Sequence, residues 1–149
     1  KCDALKANAK DICVKEAKGA QDVAKAELEA QYKPSAKASQ KVAEARADAA
    51  YAVAKEKCDD LTGNAKDVCV KDAKAEHVKA KENAKVAAAQ AKPADTAAEK
   101  AANVAEARKD AAAEKNEANY KAAKERCDAM SGDLKSKCVD DAKRMYGQH

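Results

Sequence analysis

The stretch CDDLTGNAKDVC, residues 58–69, carries the strongest fold signal in this chain of 149 residues. Its two cysteines stand eleven positions apart, and the same spacing occurs in CDALKANAKDIC at 2–13 and in CDAMSGDLKSKC at 127–138. These three cysteine segments use all six cysteines of the chain. Even-numbered, regularly spaced cysteines predict local disulfides and an oxidising compartment. The predicted pairs are Cys2–Cys13, Cys58–Cys69 and Cys127–Cys138.

The middle of each cysteine segment has the sequence of a turn between two helices. Gly63 and Gly132 suit the left-handed conformation that follows a helix C-terminus, and Asn64 and Asp133 after them are good N-cap residues. Asn8 takes the same place in the first segment, which has an alanine where the others have glycine. The cysteines lie about one helical turn from the apex, on opposite arms. We therefore expect each segment to form a disulfide-stapled helical hairpin.

Composition favours long helices around a thin core. Alanine contributes 41 residues, whereas Ile, Leu and Val together contribute 15, and Phe and Trp do not occur. Alanine leads the helix-propensity ranking but buries little apolar area. A disulfide that closes a loop of about a dozen residues stabilises by roughly 3 kcal/mol, so the bridges substitute for a core of large side chains. The prediction is an all-α chain of long antiparallel helices at 8–32, 34–62, 64–92, 94–131 and 133–146.

Two prolines and a recurring pattern divide the chain. Pro34 and Pro93 fit the first turn of a new helix, where the missing N–H costs nothing, and each marks either a chain reversal or a kink. Thr96 followed by Glu99 matches a capping box. The pentapeptide VAEAR occurs twice at similar places. We predict an elongated repeat within one continuous helical domain. Its units are 1–57, in which the N-terminal arm of the hairpin is incomplete, 58–126, and a truncated 127–149.

Alanine-rich seams follow from apolar spacings of three and four residues, as in coiled coils. Small residues at these positions let antiparallel helices approach closely. His77 lies on one seam, where it is either a pH-sensing or metal-binding residue or simply a partly exposed seam position. The seam of the third helix consists of Val70, Ala73, His77, Ala80, Ala84, Ala87 and Ala91. The seam of the second consists of Ala43, Ala47, Ala50, Ala54, Lys57 and Leu61.

The charge pattern and the missing motifs disfavour several classes of function. The 30 Lys and Arg residues are interspersed with 26 Asp and Glu residues, for a net charge of +4, whereas nucleic-acid binders concentrate basic residues on one surface. No apolar run approaches the ~20 residues that span a bilayer. The C-x10-C spacing differs from that of zinc sites, and no phosphate loop or aromatic pocket indicates an active site. We expect no enzymatic activity, cofactor, metal or bound nucleic acid.

The segments CDDLTGNAKDVCVKDAKAE and VAKEKC resemble a group of small exported Ala/Lys-rich proteins of β-proteobacteria. These proteins are often labelled TolA-like or cell-envelope proteins. The resemblance implies an exported location and brings no catalytic residues with it. The chain begins with Lys1 rather than Met, as expected of an exported protein whose signal has been removed, or of a truncated chain.

These observations favour a non-enzymatic structural or interaction protein of the periplasm or cell exterior. Its seams would pair with another copy or with an envelope partner, as in a spacer or an assembly subunit. One alternative is a protein whose weakly amphipathic helices bind lipid surfaces or protect against stress. A second alternative is metal or redox binding through free cysteine thiols.

Overall fold

Runs of alanine, lysine and glutamate between the turn signals form helices, as helix propensity dictates. The computed structural model describes residues 1–148, and these contain five α-helices and no strand. Short 3-10 helices at Cys2–Ala4 and Cys58–Asp60 accompany two of the turns. The all-α prediction is confirmed. The helices are α1 (Ala7–Tyr32), α2 (Ala36–Lys57), α3 (Gly63–Ala91), α4 (Ala97–Cys127) and α5 (Gly132–Met145).

Short connections make successive helices antiparallel neighbours. Helix α1 packs against α2, α2 against α3, α3 against α4 and α4 against α5, with few contacts between helices that are not consecutive. Helices α2, α3 and α4 therefore each lie between two others. Two of the disulfide-stapled helical hairpins expected from the sequence are present, α2–α3 and α4–α5, whereas in the first cysteine segment only a 3-10 helix precedes the turn.

Both prolines lie outside the helices, which corrects the prediction that they occupy first helical turns. Helix α2 begins after Ser35, whose Oγ accepts a hydrogen bond of 3.0 Å from the N–H of Ala38. Pro34 precedes this cap. Pro93 lies in the loop before α4, which starts after Thr96. The hydroxyl caps set the helix starts. The prolines instead end the preceding helices, because proline drives the residue before it, Lys33 or Lys92, out of the helical conformation. Each proline thus marks a reversal rather than a kink.

Two helix ends also fall short of their predicted positions. Helix α2 ends at Lys57 and α4 at Cys127, rather than at 62 and 131. Leu61 and Thr62 are extended, because the chain must leave the α2 axis before α3 can start at a glycine of positive φ. The ends are earlier because the turn needs several non-helical residues.

The buried core is made of alanine and cysteine. The largest fully buried side chains are those of Cys58 and Cys127, which are 0% and 1% exposed. Alanine supplies the other buried apolar positions, so helix packing buries little area per contact. The second and third disulfides thus lie at the centre of the packing at their turns. The buried alanines are Ala47, Ala75, Ala84, Ala111, Ala122 and Ala142.

A buried glycine brings α1 and α2 together in mid-helix. A Cβ placed on Gly19 would lie 2.7 Å from the Cβ of Ala49 and 3.3 Å from its Cα. Glycine is unfavourable inside a helix by up to about 1 kcal/mol relative to alanine. Here it allows a backbone approach that no other residue permits. The sequence prediction did not single out Gly19.

Candidate interaction surface

The three disulfides hold the turns at nearly identical geometry. Their Cα–Cα distances are 5.6, 5.6 and 5.7 Å for the first, second and third cysteine segments. Each bond joins the two cysteines of one segment, and none of the six is free. The second bond joins the 3-10 helix Cys58–Asp60, which directly follows α2, to α3, and the third joins α4 to α5. The first joins α1 to the 3-10 helix Cys2–Ala4.

The residue in the middle of each turn has a positive φ. Gly63 and Gly132 have φ of 58° and 57°, and Ala7 has φ of 51°. Glycine adopts this conformation freely, whereas alanine pays a steric cost of roughly 1–2 kcal/mol. Ala7 is the one non-glycine residue of this kind among residues 1–148. The left-handed turn predicted at the two glycines is present, and the first segment adopts it despite its alanine.

The structure corrects the N-cap role predicted for Asn64, Asp133 and Asn8. Each of them follows the positive-φ residue and is already the second residue of its helix. The N-cap position of α3 is Thr62, without a side-chain cap bond. The helix starts one residue earlier than predicted because the left-handed residue itself opens the helical hydrogen-bond pattern.

The two asparagines instead bridge to the end of the neighbouring helix. Asn8 Nδ2 donates to the backbone carbonyl of Glu56 at 2.9 Å. Asn64 Nδ2 donates in the same way to the carbonyl of Glu125 at 3.1 Å. Each asparagine thus adds a hydrogen bond to a carbonyl in the last turn of the neighbouring helix and connects α1 to α2, and α3 to α4. The carbonyl of Glu125 also accepts from the N–H of Asp128.

An ion pair spans the outside of each turn. The aspartate after the first cysteine meets a lysine seven residues later in every segment. The distances are 3.5 Å for Lys10–Asp3, 2.8 Å for Lys66–Asp59 and 2.8 Å for Lys135–Asp128. The hydrogen bond to Asp59 raises the pKa of Lys66, and the bond from Lys135 lowers the pKa of Asp128. The shared spacing was a readable signal that the sequence prediction missed.

The predicted α2 and α3 seams meet along an open groove. Alanines from both helices line this groove of about 470 Å³: Ala47, Ala50 and Ala54 from α2, and Ala73 and Ala80 from α3. The Cys58–Cys69 disulfide lies at its wall.

The α3 seam divides between this groove and the surface. Among its seven residues, Ala84 is buried, Val70, Ala73 and His77 are half-buried, and Ala80, Ala87 and Ala91 are exposed.

His77 joins α2 to α3 in the groove. Its Nε2 lies 2.6 Å from Asp48 Oδ1, and its ring stacks on Tyr51 with the centroids 4.5 Å apart. The ammonium of Lys74 lies 5.4 Å from the centre of the Tyr51 ring. Nδ1 is buried without a partner. A proton on Nδ1 would be a buried, unsatisfied donor, so the arrangement favours the tautomer in which Nε2–H donates to Asp48.

A buried carboxylate anchors the middle of α3. Glu82 is 6% exposed and accepts a hydrogen bond of 2.6 Å from Lys85 Nζ. This bond raises the pKa of Lys85 above its ordinary 10.5, and Glu114 of α4 and Glu44 of α2 add weaker attraction. Lys85 thus links three neighbouring helices electrostatically. Nothing in the sequence distinguishes Glu82 from the other carboxylates of the chain.

Residues 1–148 contain no cluster of three or more His, Cys, Asp or Glu side chains placed to hold a metal ion. None of their helices combines the length and the apolar character that crossing a bilayer requires.

Compared with protein-family models, with curated proteins and with solved structures, the chain shows no match.

Proposed function

We propose that the chain is a non-enzymatic structural or interaction protein of the bacterial cell envelope or exterior, a disulfide-stapled helical spacer or assembly subunit. The packing order carries this proposal: each helix packs mainly against its neighbours in the chain, with a disulfide at each glycine or alanine turn. Chains built in this way grow by adding units and offer long surfaces to partners. The proposal includes the three units 1–57, 58–126 and 127–149 as repeats of one hairpin.

We also infer an exported location, in the periplasm or outside the cell, and a relation to the small Ala/Lys-rich envelope proteins often labelled TolA-like. Three disulfides without a free cysteine support the location, because such bonds persist in oxidising compartments. The test is to treat intact source cells with a membrane-permeant alkylating reagent, fractionate them and map the chain by mass. Six unmodified cysteines in the periplasmic or external fraction are expected. Alkylated cysteines in the cytoplasmic fraction would contradict the proposal.

One face of α1 supports an interaction role. Val14, Leu28 and Tyr32 are 47%, 68% and 83% exposed, and their spacing places them on one side of the helix. Gly19, which packs on α2, lies on the opposite side. Exposed apolar side chains that share a face are typical of interaction sites. The same face also favours the second candidate, reversible binding to lipid surfaces.

Sedimentation equilibrium and co-sedimentation with anionic vesicles separate these two roles. The variant is Leu28→Glu, and the matched control is Leu134→Glu, since Leu134 of α5 is 72% exposed. Self-association that only Leu28→Glu abolishes supports the assembly subunit. Vesicle binding that only Leu28→Glu abolishes supports the lipid-binding candidate. If neither is seen, or if the control abolishes them equally, the α1 face is not the interaction site.

A further inference from the structure

We propose that the Cys2–Cys13 disulfide is a thiol–disulfide exchange site for thiol-bearing molecules, while the other two disulfides are structural. This goes beyond the spacer role and does not depend on it. Two independent observations carry the inference: the burial of the cysteines and the backbone conformation of the turn that each bond closes.

Burial separates the first bond from the other two. Cys2 and Cys13 are both half-buried, whereas Cys58 and Cys127 are 0% and 1% exposed. Exchange requires a thiolate to approach one sulfur in line with the bond, so access to the sulfurs controls its rate. The first bond offers two partly accessible cysteines. Each of the others offers one.

Backbone strain also distinguishes the Cys2–Cys13 disulfide from the other two. The first bond closes the turn in which Ala7 has a positive φ, whereas Gly63 and Gly132 take that position in the other turns. Opening the bond lets Ala7 return to an ordinary conformation. The ion pair left across the turn, Lys10–Asp3, is long at 3.5 Å, and Asp3 is 95% exposed. Exposed or strained disulfides are the labile ones.

The chemistry is ordinary exchange. A thiolate attacks one sulfur and forms a mixed disulfide there, while the other sulfur leaves as a thiolate and takes a proton. A second thiol attacks the mixed disulfide, which releases the second protein thiol and the oxidised form of the reagent. The mixed disulfide is a covalent attachment of this chain to the attacking molecule.

The test uses the oxidised full chain under native conditions in buffers of graded reduced-to-oxidised glutathione ratio, followed by alkylation and peptide mapping. We expect Cys2 and Cys13 to be alkylated, or joined to glutathione, at a lower ratio than the other four cysteines. Opening of either other bond at an equal or lower ratio, or loss of all three bonds together, would overturn the proposal.

Two substitutions test the backbone argument directly. Ala7→Gly removes the strain, so the ratio that opens Cys2–Cys13 should rise roughly 5- to 30-fold. Gly63→Ala introduces the same strain without a steric contact, since no atom lies within 4 Å of the added Cβ. It should lower the ratio for Cys58–Cys69 by a similar factor. The matched control, Ala9→Gly in the first turn of α1, should not raise the ratio for Cys2–Cys13, and unchanged ratios in the two test variants would refute the strain argument.

Discussion

At the scale of single residues, Gly19 shows how little space separates the helices. The Cβ of an alanine there would lie 2.7 Å from Ala49 Cβ, so α1 and α2 would have to move apart. Gly19→Ala should lower the free energy of unfolding by about 1–3 kcal/mol, although the same change at an exposed helical site stabilises. Chemical denaturation followed by circular dichroism measures the effect.

Restoring the space supplies the control for this prediction. Adding Ala49→Gly to Gly19→Ala removes the clashing methyl group on the other helix. The double variant should therefore be more stable than the sum of the two single-variant effects predicts. This difference appears as a positive coupling energy in a double-mutant cycle. Strictly additive effects would show that close approach at Gly19 is unimportant.

A second prediction at this scale concerns the ion pair across the third turn. The hydrogen bond from Lys135 keeps the pKa of Asp128 below its ordinary 3.8. The carboxylate is favoured in the folded state, so this pair stabilises fully above pH 3.8 and is lost as the pH falls through the lower, folded-state pKa. An NMR titration of the Asp128 carboxyl carbon should show this depressed pKa.

Removing the lysine tests the cause of the shift. In Lys135→Met the pKa of Asp128 should move back towards 3.8, and the part of the acid-induced loss of stability that comes from this pair should disappear. Lys137→Met removes the same charge two residues away and should leave most of the depression in place. Equal titrations of Asp128 in the two variants would rule out the specific pair.

At the scale of helices, Asn64 links the start of α3 to the end of α4. Its amide donates to the carbonyl of Glu125, 61 residues away in the sequence. Asn64→Ala should destabilise by about 1 kcal/mol, the usual worth of one such bond. Amide hydrogen exchange should also show faster opening of the last turn of α4.

An exposed asparagine of α4 provides the comparison. Asn103 lies in mid-helix and is exposed, so Asn103→Ala should be neutral or slightly stabilising by helix propensity. If Asn64→Ala behaves like Asn103→Ala, the hydrogen bond to Glu125 contributes nothing to the pairing of α3 with α4.

A further prediction at this scale concerns the buried Glu82. Lys85→Met removes its partner and leaves a carboxylate that is only 8% exposed in its side chain without a hydrogen bond. We expect the free energy of unfolding to fall by about 1–2 kcal/mol. The loss is no larger because the position of Lys85 is half exposed, so water can partly replace the lost hydrogen bond to Glu82.

An exposed pair on the same helix gives the matched control. Lys79 lies 3.7 Å from Glu76, and both side chains are more than half exposed. Lys79→Met should therefore change stability by no more than about 0.5 kcal/mol. Equal effects of the two lysine substitutions in urea unfolding would contradict the role given to Glu82.

Much of this level of structure could be read from the sequence, for physical reasons. The presence of helices could be predicted from the composition, and the turns could be predicted from the glycines and cysteines within each cysteine segment. The bonds from Asn8 and Asn64 could not be read, because they join residues far apart in the chain. Gly19 and Glu82 acquire their roles only from the neighbouring helix. The starts of α2 and α4 were predicted too early, at the prolines, because Ser35 and Thr96 accept hydrogen bonds from the first free N–H groups of these helices. The capping box of Thr96 and Glu99 was itself predicted and is confirmed.

At the scale of the whole molecule, the disulfides occupy the place that large apolar side chains hold in other proteins. The most deeply buried side chains are Cys58 and Cys127, and the remaining core is alanine. Alanine packing contributes little per residue, whereas each bridge contributes roughly 3 kcal/mol by restricting the unfolded chain. Stability should therefore reside in the turns more than in the helix interfaces.

The most direct test is to compare urea unfolding of the oxidised chain with that of the same chain kept fully reduced by a phosphine, both followed by circular dichroism. The oxidised chain should unfold cooperatively, whereas the reduced chain should have lost most of its helicity without urea or should unfold at a far lower urea concentration. Unfolding of the reduced chain at the same urea concentration as the oxidised one would show that the bridges are not the main source of stability. The helix interfaces would then supply the stability, and the bridges would be dispensable.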